Sequence, residues 1–290
     1  MKVCIICIQK NEENYINEWI NYHLSIGIDN IFVCNNDDPK DKRLYDTIHN
    51  DKVQIVDYQG VDGVQPIAYT KEFKRLQSEF DWLIFIDIDE FIILDGYNDI
   101  KEFLSLDRFK ECSSIKMNMK IFDDDGIIDV ENDDYSVMKR FKHNIENERN
   151  HWQKSIIRGS VDICDKRIFG HGYYDGGEDY ISVNVLGERV NNHHKECKEY
   201  PVIHEQCWLN HYPTKSIGEY IRQKYFRGGP NRNPQRYFNL NYFWKYNKRT
   251  DEKEKYAKEL INELQEKGYH TRLPRVYRDK TGKLIVNKEL

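Results

Sequence analysis

The amino-acid sequence predicts an α/β fold: a mainly parallel sheet with flanking helices, then a helical, aromatic-rich C-terminal extension. Three observations predict it. The first hundred residues alternate short apolar runs with stretches that carry apolar residues at helical spacing. The apolar runs are nearly continuous, as in strands buried on both faces. From Lys215 to Arg249 the character changes: nine Lys or Arg stand against a single Glu, interleaved with nine aromatic residues.

Taken in order, Lys2–Ile8 predicts a first strand. Glu13–Ile26 predicts a helix, with Tyr15, Ile16, Trp19, Ile20, His23 and Leu24 at helical spacing and Gly27 as its stop. Asn30–Cys34 and Val53–Tyr58 predict the next two strands, with a short polar helix over Asp41–His49 between them. Ala68–Phe80 predicts a helix and Trp82–Ile88 a fourth strand. Ser114–Phe122 and Gln153–Val161 read as further strands, and Glu252–Lys267 as an amphipathic helix with Tyr256, Leu260 and Leu264 on one stripe. Sheets of this kind bind ligands beyond the C-terminal ends of their strands. The chemistry is therefore expected after Ile8, Cys34, Tyr58 and Ile88, which places Asn35 in the expected crevice.

Composition excludes several classes. The 290 residues carry a formal net charge of −5, which argues against a general nucleic-acid binder. Twenty Tyr, 13 Phe and 5 Trp supply core material, so wholesale disorder is excluded. No apolar run approaches the ~20 residues of a membrane span, and the N-terminus lacks a signal-peptide pattern. The expected setting is cytoplasmic, with the inner face of the cell membrane as a peripheral contact. Seven cysteines show no disulfide framework. Cys4 and Cys7 resemble a redox pair only in spacing, because they lie inside the first strand and read as buried apolar residues.

Three segments are candidates for chemistry. In Phe85-Ile86-Asp87-Ile88-Asp89-Glu90-Phe91 an apolar strand runs into three carboxylates within four residues. On a continued strand Asp87 and Asp89 share a face, where like charges repel unless a cation joins them. Hard oxygen ligands suit Mg²⁺ or Mn²⁺, which favour sites shared with phosphates. Lys10-Asn11-Glu12 follows the first strand and opens a helix, a setting suited to a nucleotide. In Asn210-His211-Tyr212-Pro213-Thr214-Lys215 a neutral imidazole can complete a metal shell and Lys215 can neutralise phosphate. His193, His194, Cys197, His204, Cys207 and His211 are dense enough to raise zinc, but their spacings match no standard pattern, so zinc is the minor reading. The run Asp123–Asp125 reads as a solvated loop.

Four segments in order, KNEENYINEWINYHLSIGIDNIFVCNND, DWLIFIDIDEFI, QKSIIRG and NHYPTKSIGEYIRQKYFRGG, resemble glycosyltransferases of the family 2-like and family 92 groups. The resemblance covers about Lys2 to Gly229. It implies a GT-A fold over residues 1–215, with 216–290 as a basic helical extension packed on it. It further implies a nucleotide-sugar donor, UDP-linked by default, and bound Mn²⁺ or Mg²⁺. By resemblance Asp89 touches the metal, Asp87 the metal or the donor ribose, and Lys10, Asn11, Glu12 and Gln65 the donor. His211 and Lys215 correspond to a late donor-phosphate segment. An inverting transferase needs a base to deprotonate the acceptor hydroxyl. The family often presents an Asp in an acidic pair, which points to Glu178 and Asp179, with Asp175 and Glu205 in reserve. The implied acceptor is a glycan or lipid-linked glycan, as in surface polysaccharide synthesis. The alternative is a non-catalytic nucleotide- or glycan-binding module of the same fold. The aromatic and basic 215–249 segment reads either as an acceptor or membrane contact, with Arg232 and Arg236 as its test positions, or as helix core with a solvated basic face.

Overall fold

The computed structural model describes residues 1–61, 63–163, 167–169, 173–174, 177, 179–191, 194–227, 239–269, 276–278 and 284–286. In chain order the elements are β1 (Val3–Gln9), α1 (Glu13–Ser25), β2 (Asn30–Asn35), α2 (Arg43–Thr47), β3 (Val53–Asp57), α3 (Gln65–Leu76), β4 (Trp82–Phe85) and β5 (Glu90–Leu94). There follow α4 (Ile100–Leu104), β6 (Ser114–Phe122), α5 (Val137–Arg140), β7 (Asn144–Ile145), β8 (Gln153–Arg158), β9 (Ile168–Phe169), β10 (Tyr173–Tyr174), β11 (Ser182–Asn184) and β12 (Cys207–His211). The C-terminal part holds α6 (Ile217–Tyr220), α7 (Leu240–Phe243), α8 (Asp251–Glu266), β13 (Val276–Arg278) and β14 (Leu284–Val286). Two compact units form, one from Met1–Ile121 with Glu146–His211, the other from Phe122–Ile145 with Tyr212–Leu290.

The first unit is built on a mixed, mostly parallel sheet in the order β3-β2-β1-β4-β8-β6-β12-β5. β1, β2, β3 and β4 run parallel, as their continuous apolar runs predict. β8 is antiparallel to both β4 and β6, and β5 closes the edge antiparallel to β12. One face packs Cys4, Ile6, Leu83 and Phe85 against Ala68, Tyr69, Phe73 and Leu76 of α3. Cys4 and Cys7 are fully buried in β1, and burial holds both thiols well above the usual range. They are small core residues, as expected.

Several boundaries read from the sequence need correction. α3 starts at Gln65 rather than Ala68, because Pro66 fits the first helical turn, where no backbone donor is needed. It ends at Leu76 rather than Phe80. The fourth strand stops at Phe85 rather than Ile88. The Glu90 amide donates to the Asp87 carbonyl at 3.1 Å, and the Asp87 amide donates to Glu90 Oε2 at 2.9 Å. Aspartate disfavours strand, and this reciprocal pair offers its backbone a turn instead. Asp87 and Asp89 therefore sit in a turn between β4 and β5, not on one face of a strand.

α1 docks Trp19 (fully buried) and His23 beneath that turn. The Ile92 amide donates to His23 Nε2 at 3.3 Å, so Nδ1 carries the proton and donates to the Trp19 carbonyl at 2.8 Å. Burial lowers the His23 pKa from the usual 6.5 to about 3. A depressed imidazole contributes stability that is present above pH 6.5 and lost as the pH falls toward 3, about 5 kcal/mol over the whole span. The thermal midpoint should fall between pH 6.5 and pH 4, and less steeply in His23→Gln. Parallel slopes for the two proteins would remove His23 as the cause.

In the second unit the acidic run is a loop that is only partly solvated: Asp125 is exposed and Asp123 half-buried, but Asp124 is not. Asp124 is 2% exposed and takes an ion pair from buried Lys253 of α8 at 2.5 Å, so its charge is compensated out of water. Tyr220, Phe226, Tyr242, Phe243 and Tyr246 of the basic segment are buried core residues, while Tyr225 and Trp244 are half-buried. Arg222 forks onto Asp129 at 2.6 and 2.5 Å, and Arg140 onto Glu219 at 3.0 and 2.7 Å. The Gly228–Pro230 break and Arg232 and Arg236 lie outside the described residues.

Candidate metal and donor site

Because β1, β2 and β4 are parallel, Gln9, Asn35 and the Asp87 turn all emerge at one edge of the sheet. The register of β5 on β12 places His211 directly opposite Glu90. Opposed residues on antiparallel strands share a face with side chains in reach. His211 Nε2 lies 3.6 Å from Asp89 Oδ1, and one ligand atom each from Asp89, Glu90 and His211 fall within 4.8 Å of one another. Asp89 and Glu90 are buried, at 8% and 1% exposure.

β8 supplies a cation. Its antiparallel register sets Ile156 against Ile84, so Lys154, two residues earlier, reaches past the end of β4. The ammonium is fully buried, 2.6 Å from Asp87 Oδ2 and 3.2 Å from Glu90 Oε2. Burial alone would lower the Lys154 pKa, but Asp87 and Glu90 outweigh it and the net shift is upward. Burial pushes the Glu90 carboxyl up to about 8, against the pull of Lys154 and with the push of Asp87 and Asp89. Asp87 Oδ1 also accepts from Gln65 Nε2 at 3.2 Å and from the Tyr69 hydroxyl at 3.4 Å. Glu90 Oε1 is buried and has no hydrogen-bond partner among the described residues.

A second cluster lies at the ends of β1 and β2. Gln9 Nε2 donates to Asn35 Oδ1 and to Asp37 Oδ2, both at 2.8 Å. The Asn11 amide donates to Asp37 Oδ1 at 2.7 Å, with Asn11 in the left-handed region at φ 53°, a conformation asparagine tolerates. Asn35 is fully buried, and its Nδ2 has no partner among the described residues. Lys10 lies 3.7 Å from Asp38, and Glu12 is buried at the start of α1.

The structure thus joins Asp87, Asp89, His211 and Gln65 around one turn, and Asn11 and Asn35 in a neighbouring network. Lys215 belongs to the second unit, where it is buried. Asp179 is exposed, and among the described residues no hydrogen bond or ion pair joins it to the acidic turn. Glu178 and Asp175 lie outside the described residues, and Glu205 is exposed. The zinc cluster is not assembled among the described residues: Cys207 is buried with its thiol donating toward Met117 Sδ, His204 pairs with the Met119 carbonyl, and His211 faces Asp89. His193 and the His194 side chain lie outside them. Sequence reasoning missed Lys154, Glu90 as a ligand, Gln9 and Asp37. A lysine inside a strand and a third carboxylate in one turn were the available signals.

The donor set tests well for a hard divalent cation. Two carboxylates and one imidazole converge, and Glu90 Oε1 is buried with no partner among the described residues, which costs free energy unless a ligand satisfies it. Fold and site together define an α/β chain with a cation-type cluster at the strand-end edge of its sheet. No family model matches the chain. A curated glycosyltransferase family 92 protein of Oryza sativa subsp. japonica is 26% identical over 104 residues, 35% of this chain and 18% of that protein. The sequence resemblance to family 92 thus has a curated counterpart, of whose length this chain spans less than a fifth. Among solved structures, S. aureus TarS in complex with UDP-GlcNAc has a TM-score of 0.33 at 20% identity, covering 42% of this chain and 35% of that one. The mannosyltransferase PcManGT from Pyrobaculum calidifontis, in complex with GDP-Man and Mn²⁺, has a TM-score of 0.30 at 12% identity, covering 40% and 35%.

Proposed function

We propose that the chain is a metal-dependent glycosyltransferase that moves a sugar from a nucleotide-sugar, UDP-linked in the first instance, to a glycan or lipid-linked glycan acceptor with inversion. The observation that carries the reading is the convergence of Asp89, Glu90 and His211 at the strand-end edge, with Glu90 Oε1 buried and unpartnered among the described residues. The name of the family 92 relative supports the same class of chemistry. Asp89, Glu90 and His211 would hold Mn²⁺ or Mg²⁺, which when bound neutralises the departing diphosphate. The rest falls to the chain's own groups. Gln65 and Tyr69 orient Asp87 at the edge where the donor enters, and the Gln9–Asn35–Asp37 network, with Asn11, presents fixed polar groups to the nucleotide. Asp179 or Glu178 is the proposed base, and surface polysaccharide synthesis the proposed setting.

Calorimetric titration with UDP tests this reading. Binding should require Mn²⁺ or Mg²⁺ and disappear with EDTA; binding of equal strength in EDTA would sink it. His211→Ala should weaken Mn²⁺-dependent UDP binding by about tenfold or more, because one of three ligands is lost. A structural zinc site predicts another result, stoichiometric zinc in the purified protein and a fall in thermal midpoint on its removal.

A further inference from the structure

We propose that Lys154 is a positioning residue that divides the acidic turn, holding Asp87 outside the cation's ligand set and leaving Glu90 Oε1 as the third ligand beside Asp89 and His211. The proposal rests on reading this cluster as a divalent-cation site. Four observations carry it. Lys154 is fully buried on β8, so its ammonium has no solvent to turn to and must be satisfied by what surrounds it. It takes Asp87 Oδ2 at 2.6 Å, while Gln65 and Tyr69 donate to Oδ1, so both oxygens of Asp87 are engaged. It shares Glu90 Oε2 with the Asp87 amide, at 3.2 and 2.9 Å, so that oxygen is engaged as well. What remains is Glu90 Oε1, buried and unpartnered among the described residues, in a residue 1% exposed that groups with Asp89 and His211.

The division has a chemical use. Three carboxylates around one divalent ion would leave the site net negative and repel a donor diphosphate. With Asp87 held by an ammonium, the ion keeps two carboxylates and a neutral imidazole, a formally neutral set that leaves its remaining positions open to phosphate. Asp87 then remains available as an oriented acceptor for a hydroxyl of the donor.

The test is Mn²⁺ binding to the whole protein without nucleotide, followed by electron paramagnetic resonance. Asp87→Asn should leave the Mn²⁺ Kd within about threefold, whereas Glu90→Gln should weaken it by about tenfold or more, since only the latter removes a ligand. Lys154→Met should tighten Mn²⁺ binding by about tenfold or more, because a nearby positive charge is removed and Asp87 is released to the ion. Lys154→Arg should restore the wild-type Kd. A Lys154→Met protein of lower thermal midpoint with unchanged or weaker Mn²⁺ binding would overturn the proposal in favour of a structural lysine. If Lys154→Met does not fold, the other pair decides: Asp87→Asn losing Mn²⁺ as severely as Glu90→Gln overturns it. A wild-type protein that binds no Mn²⁺ overturns the metal reading and this proposal together, whereas wild-type binding with loss in Asp87→Asn overturns this proposal alone.

Discussion

Asp89→Asn should lower sugar transfer by roughly 10³-fold or more and leave the fold intact. Asparagine keeps the shape of the side chain but loses the charge and one oxygen ligand that a hard cation needs. Such a site accelerates transfer chiefly by electrostatic stabilisation of the departing diphosphate, and losing one preorganised group of this kind costs about 10²–10³-fold in other enzymes. The fold should survive because Asp89 lies in a turn, with the His211 ring 3.6 Å away, and contributes nothing to the apolar core. The measurement is turnover of UDP-sugar at saturating Mn²⁺, alongside the thermal midpoint. Activity within tenfold of wild type, with the same Mn²⁺ dependence, would remove Asp89 from the site.

Trp19→Ala should destabilise the protein by about 3–5 kcal/mol, the range for deleting a buried aromatic. Trp19 is fully buried on α1, with its ring 4.4 Å from that of His23, and its indole N–H donates to the Glu90 carbonyl at 2.7 Å. The substitution opens a cavity and also takes the indole donor away from the Glu90 carbonyl. Trp19→Phe separates the two effects. It keeps most of the ring volume and loses the hydrogen bond, at about 1–3 kcal/mol. Urea unfolding gives both values. If Trp19→Phe matches wild type in stability and in Mn²⁺ affinity, the indole hydrogen bond does not hold the turn.

The elements of the first hundred residues were legible in the sequence because each is a local pattern. Continuous apolar runs such as VCIICI and WLIF must be buried on both faces, and helical spacing marks α1 without reference to anything else. The strand end at Phe85 was not legible. Reading on from WLIF to Ile88 extends the apolar pattern, whereas the chain turns because Glu90, three residues beyond Asp87, closes the loop with its own side chain. The burial of Asp124 was hidden for a similar reason: its partner Lys253 stands 129 residues away on α8.

By itself the sequence determined the class of fold and marked the strand-end edge and the carboxylates on which the proposed cation site rests. Those depend on residue type and on spacing over a few positions. Only the tertiary structure decided which groups meet at the acidic turn. His211 arrives through the register of β12 on β5, and Lys154 through the register of β8 on β4. A register is a long-range choice, set by which faces are buried and where turns fall, and a shift of one residue would carry both side chains to the opposite face. That is why Asp87 and Asp89 look equivalent in the sequence, while in the fold one is held by an ammonium and the other stands beside an imidazole.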